Sequence, residues 1–284
     1  MRLIKCLMMI FCMTFVSCGK SDNNTPFDPG WGNGADDSPV EKVSIVTYNI
    51  RHCSAYIIGD TDGPIDVSGI SRSLKSLQAD VVFLQEVDKN TTRSGKDLDE
   101  AAKIAELAGF PYYHFYKAQD YQGGEYGLAI LSRFNLTGIE QYDLPRVEVE
   151  GTYVGYSILA KAVVSINGKR IVLATTHLAT TAENRVEQMP VINEKLSSIK
   201  DLVILGGDFN ATPSNSTINT LDSYGFVRSG KDKNYYTIPS NAPNREIDYI
   251  CFKPGDKVQI IEHKVFGEMT ISDHLPVRVT FKMI

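Results

Sequence analysis

The chain reads as an α/β protein built on mixed β-sheets under helical layers. Three observations point there. Short apolar runs of strand type recur along the chain, segments of helical spacing fall between some of them, and an Asn167-Gly168 pair joins two others directly. Helical crossovers permit parallel neighbours, whereas a tight hairpin requires antiparallel ones, so a purely parallel sheet is excluded.

Taken in order, Val43 to Asn49 alternates as a strand. Ile70, Leu74 and Leu77 recur at helical spacing, and Val81 to Leu84 is a short run of the buried-strand type. A helix is predicted from about Leu98 to Ala108, stopped by Gly109 and Pro111. Strands follow around Tyr113 and over Leu128–Leu131, Ile158–Ile166 and Arg170–Thr176, the last two joined at Asn167-Gly168. Val186 to Ile199 has a helical pattern, with Pro190 as a kink. Val203 to Leu205 is a third buried-type run, and further strands are expected near Ile247–Phe252, Val258–Val265 and Val277–Phe281. In the aromatic stretch from Phe110 to Tyr121, Tyr113 and Phe115 are expected to feed the core.

A composition of 43% hydrophobic and 22% charged residues over 284 positions excludes global disorder and suits one large domain. The formal charge of −5 becomes more acidic once Arg2 and Lys5 are set aside with a leader, which argues against a nonspecific grip on long nucleic acid. Residues 1–17 have the shape of a secretory signal: two basic residues, then an apolar run too short to span a bilayer. Phe15-Val16-Ser17-Cys18 resembles a bacterial lipobox, so the expectation is an exported lipoprotein held on a membrane through acylated Cys18. Residues 18–40, rich in Asn, Asp, Gly, Pro and Ser, form a polar linker, and residues 41–284 form a single body, expected to be a monomer. Within that body Cys53 and Cys251 remain, either as one disulfide or as buried thiols.

The strands end in polar residues. Asn49 closes the first, Gln85-Glu86 follow the second, His177 follows Arg170–Thr176, and Gly206-Gly207-Asp208-Phe209-Asn210 follows Val203–Leu205. Asp248 sits inside apolar Ile247–Ile250, and Ser272-Asp273-His274 precedes the last strand. Singly, each is a solvated end or a turn residue. Together they set carboxylates, amides and imidazoles at the edges of buried strands, where burial without a task is costly. That set suits metal-assisted hydrolysis of phosphate esters: carboxylates for Mg²⁺, amides for phosphate oxygens, and a histidine paired with an aspartate for proton transfer. No P-loop, cysteine cluster or Gly-x-Ser-x-Gly elbow competes.

The motifs Thr47–Arg51, Leu84–Val87, Tyr126–Arg133, Thr176–Leu178, Gly207–Asn210, Ile247–Ile250 and Ser272–Val277 occur in the order typical of the endonuclease/exonuclease/phosphatase superfamily, which the chain resembles from Val43 to Phe281. The resemblance implies the deoxyribonuclease I-like fold, a four-layer sandwich of two mixed β-sheets flanked by helices. It implies Glu86 as the principal Mg²⁺ ligand (Mn²⁺ being the other ion considered), with Asn49 and Asp273 completing the site directly or through water. Asp208 would orient or deprotonate the attacking water, and Asn210 would hold the phosphate. His274, supported by Asp248, would be an acid–base residue. His177 matches a second histidine of the branch that holds pancreatic-type deoxyribonuclease, neutral sphingomyelinases, inositol-polyphosphate phosphatases and deadenylases. Arg185 resembles a helix-start arginine of small bacterial members, open to a phosphate contact or a surface salt bridge. Many members carry Asn where this chain has Leu128, and the Tyr126 hydroxyl is the candidate substitute. The expected substrate is a phosphorylated small molecule, lipid or nucleic acid. The functions this pattern fits are a phosphodiesterase or phosphatase, a secreted nuclease, a sphingomyelinase-like head-group hydrolase and, from another class, a binding lipoprotein without catalysis.

Overall fold

A computed structural model describes residues 40–57, 61–269 and 271–284; the expected leader, most of the linker and Cys18 lie outside them. In chain order the strands are β1 (Val43–Asn49), β2 (Ser54–Ile57), β3 (Thr61–Ile65), β4 (Val81–Lys89), β5 (Tyr112–Tyr121), β6 (Gly124–Ser132), β7 (Thr137–Asp143), β8 (Ile158–Ile166), β9 (Lys169–His177), β10 (Leu202–Asp208), β11 (Val227–Arg228), β12 (Asp248–Lys253), β13 (Val258–Val265) and β14 (Val277–Met283). The α-helices are α1 (Val67–Ser76), α2 (Glu100–Ala108), α3 (Ala182–Leu196) and α4 (Ser216–Ser223). One six-stranded sheet runs β13-β14-β1-β4-β6-β5, the other β11-β12-β10-β9-β8-β7, and β2 pairs with β3 alone. Both large sheets are mixed: β1–β4 and β9–β10 are parallel, and their other ladders are antiparallel.

The layering follows from strand periodicity. Successive side chains point to opposite faces, so Ile45, Phe83, Ile130, Leu173, Ile204, Phe252 and Phe281 meet between the two sheets. Val46, Val82, Leu84 and Leu131 turn the other way, onto Ile70 and Leu74 of α1 and Ile104 of α2. On the far side Val172, Val203 and Leu205 meet Ile192 of α3 and Leu221 of α4. Strands covered on both faces explain the unbroken apolar runs, and the result is the expected sandwich of two mixed sheets between helical layers.

The local signals act as expected. Asp66 and Asp99 accept hydrogen bonds from the third residue of α1 and α2 at 2.7 and 2.9 Å, and Gly109 ends α2 in the left-handed region at φ 83°. Asn167 and Gly168 both have positive φ, 52° and 73°, as a two-residue hairpin of this type requires. Helix α3 starts four residues before the expected Val186 and continues through Pro190. Tyr113 departs from expectation. It lies on β5, an edge strand, where the helix-side core takes in Phe115 but leaves Tyr113 44% exposed. Cys53 and Cys251 are free, buried thiols in different helix-side cores, so the disulfide is not formed.

Candidate active site

The inter-sheet face is apolar along most of each strand and turns polar at one end. Along β1, Val43 and Ile45 are followed on the same face by Thr47 and Asn49; along β10, Leu202 and Ile204 are followed by Asp208. A buried polar layer lies beneath the site, where Thr47 donates to Gln85 at 3.3 Å and Gln85 donates to Thr175 at 3.1 Å. Gln85 and Thr175 had no role assigned from sequence, yet they share the parity of Phe83 and Leu173 and extend the same face.

Asp208 is the pivot. In the ladders it stands opposite His177 of β9 on one side and Asp248 of β12 on the other. Its Oδ2 accepts from Asn49 Nδ2 at 3.1 Å and lies 3.4 Å from His177 Nε2 and 3.6 Å from His274 Nε2. The first contact is a hydrogen bond; the second is at the edge of one, and the third is a charge contact only. The second Asn49 donor bond goes to Glu86 Oε1 at 3.0 Å. Gly207, just before Asp208, has φ 150°, and a Cβ there would lie 2.0 Å from the Thr176 carbonyl oxygen. The Gly-Gly pair is therefore part of a strand pressed against its neighbour, and glycine is required for that approach.

Glu86 owes its direction to a bulge. The β4–β6 register shifts between Leu84 and Val87, and Glu86 takes φ 57°. An extra residue in one strand re-aims a side chain, here into an open cleft also lined by Tyr126, His177, Asp208, Asn210 and His274. Asn210 also has positive φ, 48°, as do Arg51, His52 and Cys53 just after Asn49. Such conformations cost free energy and collect at functional sites.

His274 Nδ1 meets Asp248 Oδ2 at 2.9 Å, both side chains being buried. Burial pulls this imidazole towards neutrality, but Asp248 and Asp208 together outweigh it and lift its pKa to about 10. Burial favours the protonated form of Asp248, while His274 opposes it. Two carboxylates facing one imidazole place the proton of this pair on His274, as an imidazolium at neutral pH. Ser272 holds the segment in place: its hydroxyl donates to the Asn49 carbonyl at 2.7 Å and accepts from the His274 backbone at 3.3 Å.

Asp273 lies beside Arg51, 3.9 Å from its Nε. Burial favours its protonated form, His274 opposes this, and Glu86 adds to it. Asn49 Oδ1 accepts from the Arg51 backbone at 3.1 Å, so the amide turns its NH₂, not its oxygen, towards the carboxylates. Among the described residues, Asp208, Asp248 and His274 bring three donor atoms within 4.8 Å of one another, a group that could bind a metal ion.

The remaining expected residues are placed as follows. Tyr126 borders the cleft beside Glu86, its hydroxyl held protonated by burial and by the nearby Glu86 charge. Arg185 is buried and stands behind the cleft. Its guanidinium donates to the Ala179 and Thr180 carbonyls at 2.9 and 2.6 Å and to Thr217 at 3.3 Å. Gln188 accepts from the Ala179 backbone at 3.1 Å, and Asn210 donates to the Leu178 carbonyl at 2.8 Å. These side chains together fix the loop that follows His177. Leu128 is buried and lines the cleft.

A family model described as the Endonuclease/Exonuclease/phosphatase family matches residues 46–274. No curated protein matches the chain by sequence. Similar solved structures include an endonuclease/exonuclease/phosphatase from Beutenbergia cavernae DSM 12333, at TM-score 0.70 and 20% identity over 86% of this chain and 72% of that one. A mannosyl-6-phosphatase from Bacteroides thetaiotaomicron VPI-5482 has TM-score 0.66 and 19% identity over 84% and 99% of the two chains. The human Nocturnin catalytic domain with a bound sulfate anion has TM-score 0.64 and 18% identity over 86% and 95%. These likenesses establish the fold.

Proposed function

The chain belongs to the endonuclease/exonuclease/phosphatase family, and from that premise we propose that it is a magnesium-dependent hydrolase of phosphate esters. One observation carries the reading: a single carboxylate oxygen of Asp208 is held by Asn49 and faced by both His177 and His274, beside Glu86 in an open cleft.

Glu86, bonded to Asn49, and Asp273, whose neighbour Ser272 bonds the Asn49 carbonyl, offer hard carboxylate oxygens, the donor type Mg²⁺ prefers. Asn49 keeps Glu86 oriented through its amide NH₂. The Asp208–Asp248–His274 group is less suited, because His274 carries a proton and its Nδ1 is engaged by Asp248. Bound at Glu86 and Asp273, the ion would offset phosphate charge and stabilise the charge that develops during hydrolysis.

The protein's own groups divide the remaining work. Asp208 orients the attacking water and takes its proton; the water oxygen bonds to phosphorus as the phosphorus–oxygen bond to the alcohol breaks, and the proton on Asp208 passes through solvent to the alcohol oxygen, leaving the carboxylate ionised again. His274, as an imidazolium fixed by Asp248, faces the same carboxylate and donates to a phosphate oxygen through Nε2. His177 and Asn210 supply further donors, and Arg185 acts only by positioning the loop between them. The test is release of phosphate or alcohol from a broad panel of esters with Mg²⁺, with Mn²⁺ and with chelator. Chelator-sensitive turnover, with Glu86→Gln folded but weakened in Mg²⁺ titration, is the expected result. Metal-independent turnover, or none, contradicts it.

The address is also proposed: export as a lipoprotein acylated at Cys18, on the strength of the Phe15–Cys18 motif. Among the described residues no helix is long and apolar enough to cross a membrane. Cys18→Ala should move the protein from the membrane to the soluble fraction; an unlabelled wild-type protein after feeding with a fatty-acid probe would contradict the proposal.

A further inference from the structure

The charged groups lining the cleft are Glu86, Asp208 and the histidines His177 and His274; among the described residues no lysine or arginine lines it. Four cations of the surrounding segments are engaged by the protein's own groups. Arg93, over the Tyr126 ring at 5.8 Å, is forked onto Asp88 at 2.7 and 2.9 Å. Lys117, next to the cleft residue Ala118, pairs with Asp120 and Glu125 at 2.7 and 3.2 Å. Arg146, over the Tyr156 ring at 4.8 Å, pairs with Glu148 at 2.8 Å. Arg51 faces Asp62 and Asp273 at 3.4 and 3.9 Å.

The rim has a different character. Tyr153 and Tyr156 line the cleft while remaining 74% and 54% exposed. Leu128 and Ile158 supply buried apolar surface in the same lining. Large aromatic rings left open beside a reaction centre offer flat faces for another ring, with a hydroxyl at the edge for polar contact.

We infer that the substrate carries a single phosphate group on an uncharged, ring-bearing body, whose ring rests on Tyr153 and Tyr156. This rests on the phosphate-ester hydrolase reading above. The reacting phosphate is provided for by His274, His177, Asn210 and the cation site. A second phosphate on the same substrate would meet no lysine or arginine in the described lining and would share it with Glu86 and Asp208, which disfavours polyanions. A sugar ring and a nucleoside share the required chemistry.

The experiment measures kcat/KM of the full chain with Mg²⁺ on a hexose 6-phosphate, a nucleoside 5′-monophosphate, a hexose 1,6-bisphosphate, ringless glycerol 3-phosphate and a single-stranded DNA oligonucleotide. At least one ring-bearing monophosphate should exceed the bisphosphate, the oligonucleotide and glycerol 3-phosphate by about tenfold or more. The faster of the two ring esters identifies sugar or base as the stacked ring. Replacing both tyrosines (Tyr153→Ala with Tyr156→Ala) should erase most of the preference for ring esters over glycerol 3-phosphate. Equal or faster turnover of the bisphosphate or oligonucleotide overturns the inference, as does an unchanged ring preference in the double variant; in both cases the hydrolase reading survives. Turnover of none of these five esters overturns the inference, and the hydrolase reading falls with it only if the broad panel, lipid esters included, is also inert.

Discussion

Asn49, the last residue of β1, donates its amide to Asp208, the last residue of β10, at 3.1 Å, and so ties the polar ends of the two sheets together. The same amide reaches Glu86 at 3.0 Å. One neutral side chain thus separates two carboxylates that would otherwise repel across the mouth of the sandwich.

Asn49→Leu should leave Glu86 and Asp208 without this donor and cost about 1–3 kcal/mol of stability. Asn49→Asp should cost more, because it adds a third like charge at the same point. Chemical denaturation of both variants without metal checks the order; equal stability of Asn49→Asp and wild type would show that the amide bridge contributes nothing.

His274 and Asp248 should behave as one unit. His274→Ala is expected to lower kcat by about 10²–10⁴-fold, the usual contribution of a positioned acid–base group. Asp248→Asn should reproduce part of that loss, and the double variant should be little worse than His274→Ala alone. Multiplicative losses in the four-way cycle would refute the pairing seen at 2.9 Å.

How much of this was open to a reader of the sequence depends on which interactions are local. The inward parity of Asn49, Asp208 and His177 follows from strand alternation, so their convergence was legible. The aim of Glu86 was not, because it depends on a bulge set by the register of β4 against β6. Arg185 was visible as a charged residue at a helix start. Its targets, the Ala179 and Thr180 carbonyls, depend on how the loop folds back. Strand β7 leaves little trace in the sequence because Thr137–Asp143 is an exposed edge with little apolar pattern, and α4 because Ser216–Ser223 is mostly polar. Tyr113 misled because an aromatic residue in a strand is read as core, while edge position decides its exposure.

Arg185 offers a test of positioning at a distance from the reacting atoms. Arg185→Lys keeps the charge but cannot fork onto two carbonyls and Thr217. It should therefore lower kcat by about tenfold, nearly as much as Arg185→Met. Full rescue by lysine in steady-state kinetics would mean that charge, not loop geometry, is what Arg185 contributes.

Glu100 gives a pH dependence with a definite sign. It is fully buried behind β4, where burial, the dominant effect, lifts its pKa from 4.5 to about 8 although its Oε2 accepts from the Asp88 backbone. The folded state then holds the proton more tightly than the unfolded one, so this group favours folding below pH 4.5 and loses that contribution as pH rises through about 8. Glu100→Gln should therefore gain stability relative to wild type as pH increases across this window. Urea melts at intervals across it would contradict the assignment if the difference between the two proteins were flat or ran the other way.

Asp208 is the shared pivot of the site, and Asp208→Asn isolates its contribution by removing one charge while keeping the shape. Its single-turnover rate on the best ester from the panel, at saturating Mg²⁺ and with folding verified by circular dichroism, is the most direct measurement. A folded variant slowed by about 10²-fold or more is the predicted result; a folded variant hydrolysing within a few-fold of wild type would show that the Asp208 carboxylate does not activate the attacking water.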